Sequence, residues 1–188
     1  RGLRGVCAAK VGEAEAMVDG GIADVLIANQ VVGDMKIERL VALAERARVS
    51  VAVDNADNVL ALSRAAQDRG VTIGVFVELD VGMNRCGVND GEAALALARL
   101  VVDAKGFDFR GLMGYEGHVM GMKDAAQRAE ACRAAMAKVT AAADHLRSNG
   151  VPVHDITGGG TMSYAIASTY PGVTEIQAGS YALMDVNF

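Results

Sequence analysis

Short β-rich runs alternate with helix-like stretches almost to the end of this chain, and that alternation restricts the fold more than any single motif does. The runs are GVCAA (Gly5–Ala9), DVLIAN (Asp24–Asn29), SVAVD (Ser50–Asp54), TIGVFVELD (Thr72–Asp80), FRGLMGYEG (Phe109–Gly117), PVHDITGGG (Pro152–Gly160) and EIQAGSYAL (Glu175–Leu183). Helix-like stretches lie between them at Gly12–Asp19, Met35–Arg48, Ala56–Arg69, Gly91–Lys105, Lys123–Ser148 and Ser163–Thr169. Their apolar residues recur at three- and four-residue spacing, as in Ile37, Leu40, Val41 and Leu43–Ala44, the period of an amphipathic helix. Asn55-Ala-Asp-Asn has helix-start chemistry, while Arg69-Gly70 and Asn149-Gly150 suit left-handed caps at helix ends.

Mostly unbroken apolar strands separated by helices imply parallel strands covered on both faces. Two architectures meet that requirement: an open doubly wound sheet and a closed eight-stranded barrel. Seven runs are one short of a barrel, and the chain opens on Arg1 rather than Met beside its first run, which reads as truncation upstream. With one strand ahead of Arg1, Thr157-Gly-Gly-Gly would follow barrel strand seven and Ala178-Gly-Ser strand eight, the loops where such barrels most often hold a phosphate. The expectation is one domain over residues 1–188, a parallel (β/α)8 barrel with its first strand missing.

Composition narrows the partners. Hydrophobic residues make up 52% and charged residues 22%, the profile of a folded chain rather than a disordered one. A net charge of −5 argues against nucleic acid, which needs a basic face, and leaves small molecules as the better expectation. The three cysteines, Cys7, Cys86 and Cys132, form no CxxC pair and so suggest neither a disulfide framework nor a cysteine zinc site; a reducing cytoplasm follows as the default. Apolar stretches such as Thr72–Val77 are too short to span a bilayer.

Three clusters could carry chemistry. Thr157-Gly158-Gly159-Gly160-Thr161 closes a strand ahead of a short helix, where backbone N–H groups can approach an anion. It is either a phosphate seat or a flexible βα turn, and Gly179-Ser180 after the next strand favours the phosphate. Glu78-Leu-Asp80-Val-Gly-Met-Asn-Arg85-Cys86-Gly87-Val88 places one arginine between glycines, able to pair with a ligand oxyanion or, more plainly, with Glu78 or Asp80. Met113-Gly-Tyr115-Glu116-Gly117-His118 offers a tyrosine that could face a ring and two groups, Glu116 and His118, able to move protons, although a loop histidine is more often structural.

The ordered set AKVGEAE (Ala9–Glu15), DVLIANQVVG (Asp24–Gly33), VELDVGMNRCGV (Val77–Val88), GYEGH (Gly114–His118), TGGGT (Thr157–Thr161) and TEIQAGSYALMD (Thr174–Asp185) resembles the D-threonine aldolase and D-serine dehydratase family, whose barrels are of the alanine-racemase type that binds pyridoxal phosphate. The resemblance runs through nearly the whole chain. It implies that Gly158, Gly159, Gly160 and Thr161, with Gly179 and Ser180, hold the cofactor phosphate. Arg85 would stand beside the phenolic oxygen and Tyr115 near the pyridine nitrogen. Gln177 and Asp185 would lie at the barrel mouth, with His118 and Asp185 as outer supports for a metal.

A neutral tyrosine at the ring nitrogen tempers the cofactor as an electron sink, so extra electrophilic help is needed. In this family, the resemblance implies, a divalent metal (Mn, Mg or Zn) supplies it near the substrate hydroxyl. The family's Schiff-base lysine lies in a segment that would precede Arg1. Its metal ligands, a His-and-Asp or His-and-Cys pair, lie in a C-terminal β domain that would follow Phe188. Lys10 follows a strand but matches a non-catalytic position. The expectation is a pyridoxal-phosphate-dependent lyase on small D-β-hydroxy amino acids, cytoplasmic and homodimeric when complete, with this stretch inactive alone. An amino-acid racemase and a non-catalytic cofactor carrier are the alternatives.

Overall fold

A computed structural model describes residues 5–183 of the chain. Its backbone divides into two compact units, Arg1–Val77 with Ala96–Arg110, and Glu78–Leu95 with Gly111–Phe188.

In the first unit, β1 (Val6–Ala8), β2 (Asp24–Gln30), β3 (Arg48–Val53) and β4 (Ile73–Glu78, its last residue opening the second unit) follow one another in chain order. All pair in parallel: Val6 faces Val25, Val25 faces Val49, and Val51 faces Val75. Valine suits this ladder because its branched side chain packs on a pleated surface. Residues 49–53 of β3 and every residue of β4 are buried, as parallel strands covered on both faces must be.

The helices here are α1 (Val11–Asp19), α2 (Asp34–Ala44) and α3 (Ala56–Arg69). In α2, Ile37, Leu40 and Val41 are buried while Lys36, Glu38 and Arg39 face outward. The bounds of α3 are those expected from sequence, and both ends show why. Asn55 accepts hydrogen bonds from the N–H groups of Asp57 (2.8 Å) and Asn58 (3.1 Å), and Gly70 takes a left-handed φ of 70°. Helix α2 stops four residues before the expected Arg48, because Arg48 is already paired beside Asp24 at the head of β3.

The chain then forms α4 (Gly91–Asp103) and β5 (Phe107–Met113). Within the second unit, Leu79 N–H donates to Met113 O at 2.8 Å; Gly111, Leu112 and Met113 pair in parallel with β6 (Asp155–Gly158), and β6 pairs with β7 (Glu175–Ile176). Helix α5 (Ala125–Ser148) buries Met136, Val139, Ala143 and Leu146, and α6 (Tyr164–Ala167) is a single turn. Several strands are shorter than their sequence runs, β6 among them, which keeps only Asp155–Gly158 of PVHDITGGG. FRGLMGYEG stops being strand at Met113, after which Gly117–Gly121 forms a 3-10 turn. EIQAGSYAL is strand only at Glu175–Ile176: the Gln177 N–H makes the last ladder bond, to Gly158 O at 2.9 Å, and shares it with Gly159 O at 3.1 Å, after which Ser180–Leu183 winds into a second 3-10 turn.

Among the described residues no helix is long and apolar enough to cross a membrane. Asp185 lies outside the described residues.

Candidate functional site

The ends of β4, β5, β6 and β7 and the loops after them carry Arg85, Tyr115, His118, the glycine run with Thr161, Gln177, Gly179 and Ser180, all in the second unit, whereas Lys10 lies in the first.

The loop after β4 is closed on itself. Asp80 N–H donates to Val88 O and Val88 N–H to Glu78 O, each at 2.9 Å. The Asp80 carboxylate accepts from Gly82 N–H (2.9 Å) and Asn84 N–H (3.0 Å). Burial alone would raise the Asp80 carboxyl, but these N–H groups and the Lys138 charge together hold it below its ordinary value. This scaffold presents Arg85, whose Nη2 lies 3.3 Å from the Glu78 carboxylate; Glu78 is almost fully buried and the arginine side chain is 38% exposed. The guanidinium also stands 5.7 Å from the centroid of the Tyr115 ring, inside the range of a cation–π contact. Of the two sequence readings of Arg85, the ion pair with Glu78 is present, and the same guanidinium also faces the Tyr115 ring.

Tyr115 leaves β5 half-buried. Burial first, and the Glu116 charge second, push its phenol up; Arg85 pulls the other way without reversing the shift. The hydroxyl accordingly stays protonated at neutral pH. Glu116, considered from sequence as a proton-transfer group, is only 1% exposed and points into the protein. It accepts from Gly159 N–H (3.1 Å), Gly160 N–H (3.3 Å) and the Ser163 hydroxyl, and Ser163 Oγ in turn accepts from Gly160 N–H (2.9 Å). Cys132 lies beside this cluster, its thiol pushed up to about 11 by burial and then by the Glu116 charge, and is thus no nucleophile at neutral pH.

The glycine run has a different use at each position. A Cβ on Gly158 would lie 2.4 Å from Gly114 O, so β6 and the end of β5 approach as only glycine allows. Gly159 adopts φ +79°, and a Cβ there would meet Ile176 and Ala167 at 2.9 and 3.0 Å. A Cβ on Gly160 would fill the space 3.1 Å from Met120 Sδ and 3.2 Å from the Tyr115 hydroxyl. Gly179 is the opposite case: it is exposed, and among the described residues the nearest atom to its added Cβ is 3.9 Å away, leaving an open face beside Ser180. Tyr181 N–H donates to Thr161 Oγ1 at 3.4 Å, drawing the loops after β6 and β7 together. Gln177 Nε2 donates to Thr157 Oγ1 (2.9 Å), which donates to Glu175 (2.9 Å), so Gln177 braces β6.

The His118 ring packs against Gly82, where a Cβ would lie 3.1 Å from Cε1, and its buried Nδ1 has no hydrogen-bond partner among the described residues. Lys10 stands at the position just before α1 without capping it, its side chain 77% exposed and 4.0 Å from Glu13. The other four lysines, Lys36, Lys105, Lys123 and Lys138, are exposed as well. Among the described residues no group of three or more His, Cys, Asp or Glu is placed to hold a metal ion. Ser163 was not singled out by sequence; its only local signal is a serine just ahead of a helical turn.

Comparison with known proteins bears on the family and the fold. The alanine racemase N-terminal domain family matches residues 1–186. The chain is 44% identical over 187 residues to the D-threonine aldolase of Arthrobacter sp, covering all of this chain and 49% of that protein. It is 42% identical over 188 residues to the 3-hydroxy-D-aspartate aldolase of Paracoccus denitrificans (strain Pd 1222), again with 49% of that protein covered. The solved D-threonine aldolase from Filomicrobium marinum superposes with a TM-score of 0.94 at 43% identity, over 99% of this chain and 50% of that one. The chain spans about half the length of the curated relatives it matches. The parallel (β/α) barrel of alanine racemase type expected from sequence is the fold of these proteins, and this chain belongs to the alanine racemase N-terminal domain family.

Proposed function

We propose that this chain forms the pyridoxal-phosphate-binding part of a lyase acting on D-β-hydroxy amino acids, with aldol cleavage of the D-threonine aldolase kind as the first reading and dehydration of the D-serine dehydratase kind as the second. The observation that carries it is that Arg85 and Gly160 both lie against Tyr115 while Tyr181 ties the exposed Gly179–Ser180 loop to Thr161, within a chain 44% identical to an aldolase. The donor set suits the cofactor. Two hydroxyls and an open glycine, Thr161, Ser180 and Gly179, would hold its phosphate, while Gly158–Gly160 shape the wall beside them.

When bound, pyridoxal phosphate supplies an electron sink for the bond broken next to the substrate amine. The chain's residues do the rest. Arg85 would offer a fixed positive charge to the phenolic oxygen. Tyr115, with its phenol pushed up, would give the ring nitrogen a hydrogen bond without giving up its proton. Gln177 holds the end of β6 in register with β7 and so keeps the phosphate loops together. A divalent metal near the substrate hydroxyl, a cytoplasmic location and a homodimer also belong to this reading.

Two measurements test it. The full-length protein should take up pyridoxal phosphate with a visible absorption band and convert D-threonine to glycine and acetaldehyde; pyruvate from D-serine instead selects dehydration, and racemisation alone overturns the lyase reading. Residues 1–188 by themselves should show no turnover, because catalysis needs an amine positioned at the cofactor aldehyde and all five lysines here are exposed. Borohydride reduction with cofactor, then peptide mapping, checks this: stoichiometric labelling of Lys10 with activity on D-threonine or D-serine refutes it.

A further inference from the structure

Glu116 is a carboxylate at 1% exposure whose three hydrogen-bond donors are all uncharged: two backbone N–H groups and one hydroxyl. A buried carboxylate surrounded in this way is costly unless donors are held against it; here Gly159 N–H and the Ser163 hydroxyl donate to it, and Gly160 N–H is shared between the carboxylate and Ser163 Oγ. The two N–H groups are those of Gly159 and Gly160, the middle of the loop that sequence nominates for an external anion. Glu116 also directly follows Tyr115 in the chain. One buried side chain thus connects the glycine loop after β6 to the tyrosine at the end of β5.

We propose that Glu116 is a built-in anion: it fills the donor pair of Gly159 and Gly160, locks their loop against Tyr115, and leaves Thr161, Gly179 and Ser180 as the groups that receive the cofactor phosphate. This makes Glu116 a positioning residue. It touches neither phosphate nor ring, and acts through the place it sets for Tyr115 and for the wall at Gly160, where a single added carbon would already crowd the tyrosine hydroxyl. The assignment rests on the pyridoxal phosphate reading for its ligand but not for the clamp itself.

The test uses the full-length protein and three variants. Glu116→Gln keeps the shape but offers one acceptor oxygen in place of two. Amide hydrogen exchange at Gly159 and Gly160 in cofactor-free protein should rise roughly ten- to hundredfold, the worth of a hydrogen bond to a charged group. The phenol assigned by Tyr115→Phe subtraction should titrate at lower pH once a negative neighbour is gone, Glu116 and Arg85 being the charges that act on it. Pyridoxal phosphate should bind about tenfold more weakly. In Glu116→Ala, added formate should restore both exchange protection and cofactor affinity by refilling the donor pair.

Unchanged exchange and an unshifted phenol in a folded Glu116→Gln protein overturn the clamp. Tighter cofactor binding in Glu116→Ala overturns it too, since the glycine amides would then be phosphate donors that Glu116 blocks. If the wild type takes up no pyridoxal phosphate, the cofactor reading fails, and exchange and titration alone decide the clamp.

Discussion

The two units bury different kinds of polar group. Among the described residues, the buried polar side chains of the first unit are Ser50, Asn58 and Ser63, all neutral, whereas the second buries Glu78, Glu116 and Asp155 together with Thr157 and Ser163. In the first unit each serves packing or backbone satisfaction: Asn58 Nδ2 donates to Val31 O and Ser63 Oγ to Lys105 O, both at 2.8 Å. The second unit takes on the larger cost of buried carboxylates, and it does so at strand ends, where two of the three hold Arg85 and the glycine loop. Two of the three buried carboxylates stand at the site, while Asp155 opens β6 at the other end of its strand.

The sharpest way to break this contrast is Gly159→Asp. The new side chain would meet Ile176 and Ala167, adopt a left-handed backbone that costs about 1–3 kcal/mol, and set a second carboxylate near Glu116. Cofactor absorbance of the full-length variant should be lost; unchanged occupancy would remove the loop from the site. In the first unit, Leu62→Ala empties a fully buried position in α3 and should cost about 2–5 kcal/mol in denaturant unfolding. Pyridoxal phosphate affinity of the protein that remains folded should not change, and a parallel loss of affinity would erase the distinction between framework and site.

A smaller effect distinguishes the carboxylates of the two units. Asp80 and Glu15 both titrate below their ordinary values, Asp80 because backbone N–H groups outweigh its burial, Glu15 chiefly through its hydrogen bond to Arg39. With folded values depressed, each contributes stability that is present above about pH 4, the unfolded value, and is lost as pH falls through the folded one. Salt at about 1 M should erase most of the Glu15 shift, because its pair is on the surface, and leave the Asp80 shift largely in place. Carboxyl NMR titrations at low and high salt measure both, and equal screening would show that the Asp80 loop is open to solvent.

The legible part of this molecule is what neighbours in sequence decide. The bounds of α3 follow from Asn55 and Gly70, and the buried face of α2 from the spacing of Ile37, Leu40 and Val41. Arg85, Tyr115 and the glycine run could be nominated because glycine, arginine and aromatic residues at strand ends are local signals. The length of β7 was not legible, since its ladder ends at Gln177, whose N–H is shared between Gly158 O and Gly159 O as the glycine loop turns away. Nor was the partner of Glu116, which lies 43 residues away at Gly159. Sequence by itself determined the alternation, the parallel class and the candidates, because propensity, periodicity and capping act over a few residues. The tertiary structure alone decided which amides already hold an anion and which face stays open, because a buried carboxylate is tolerated only where distant segments bring all of its donors together.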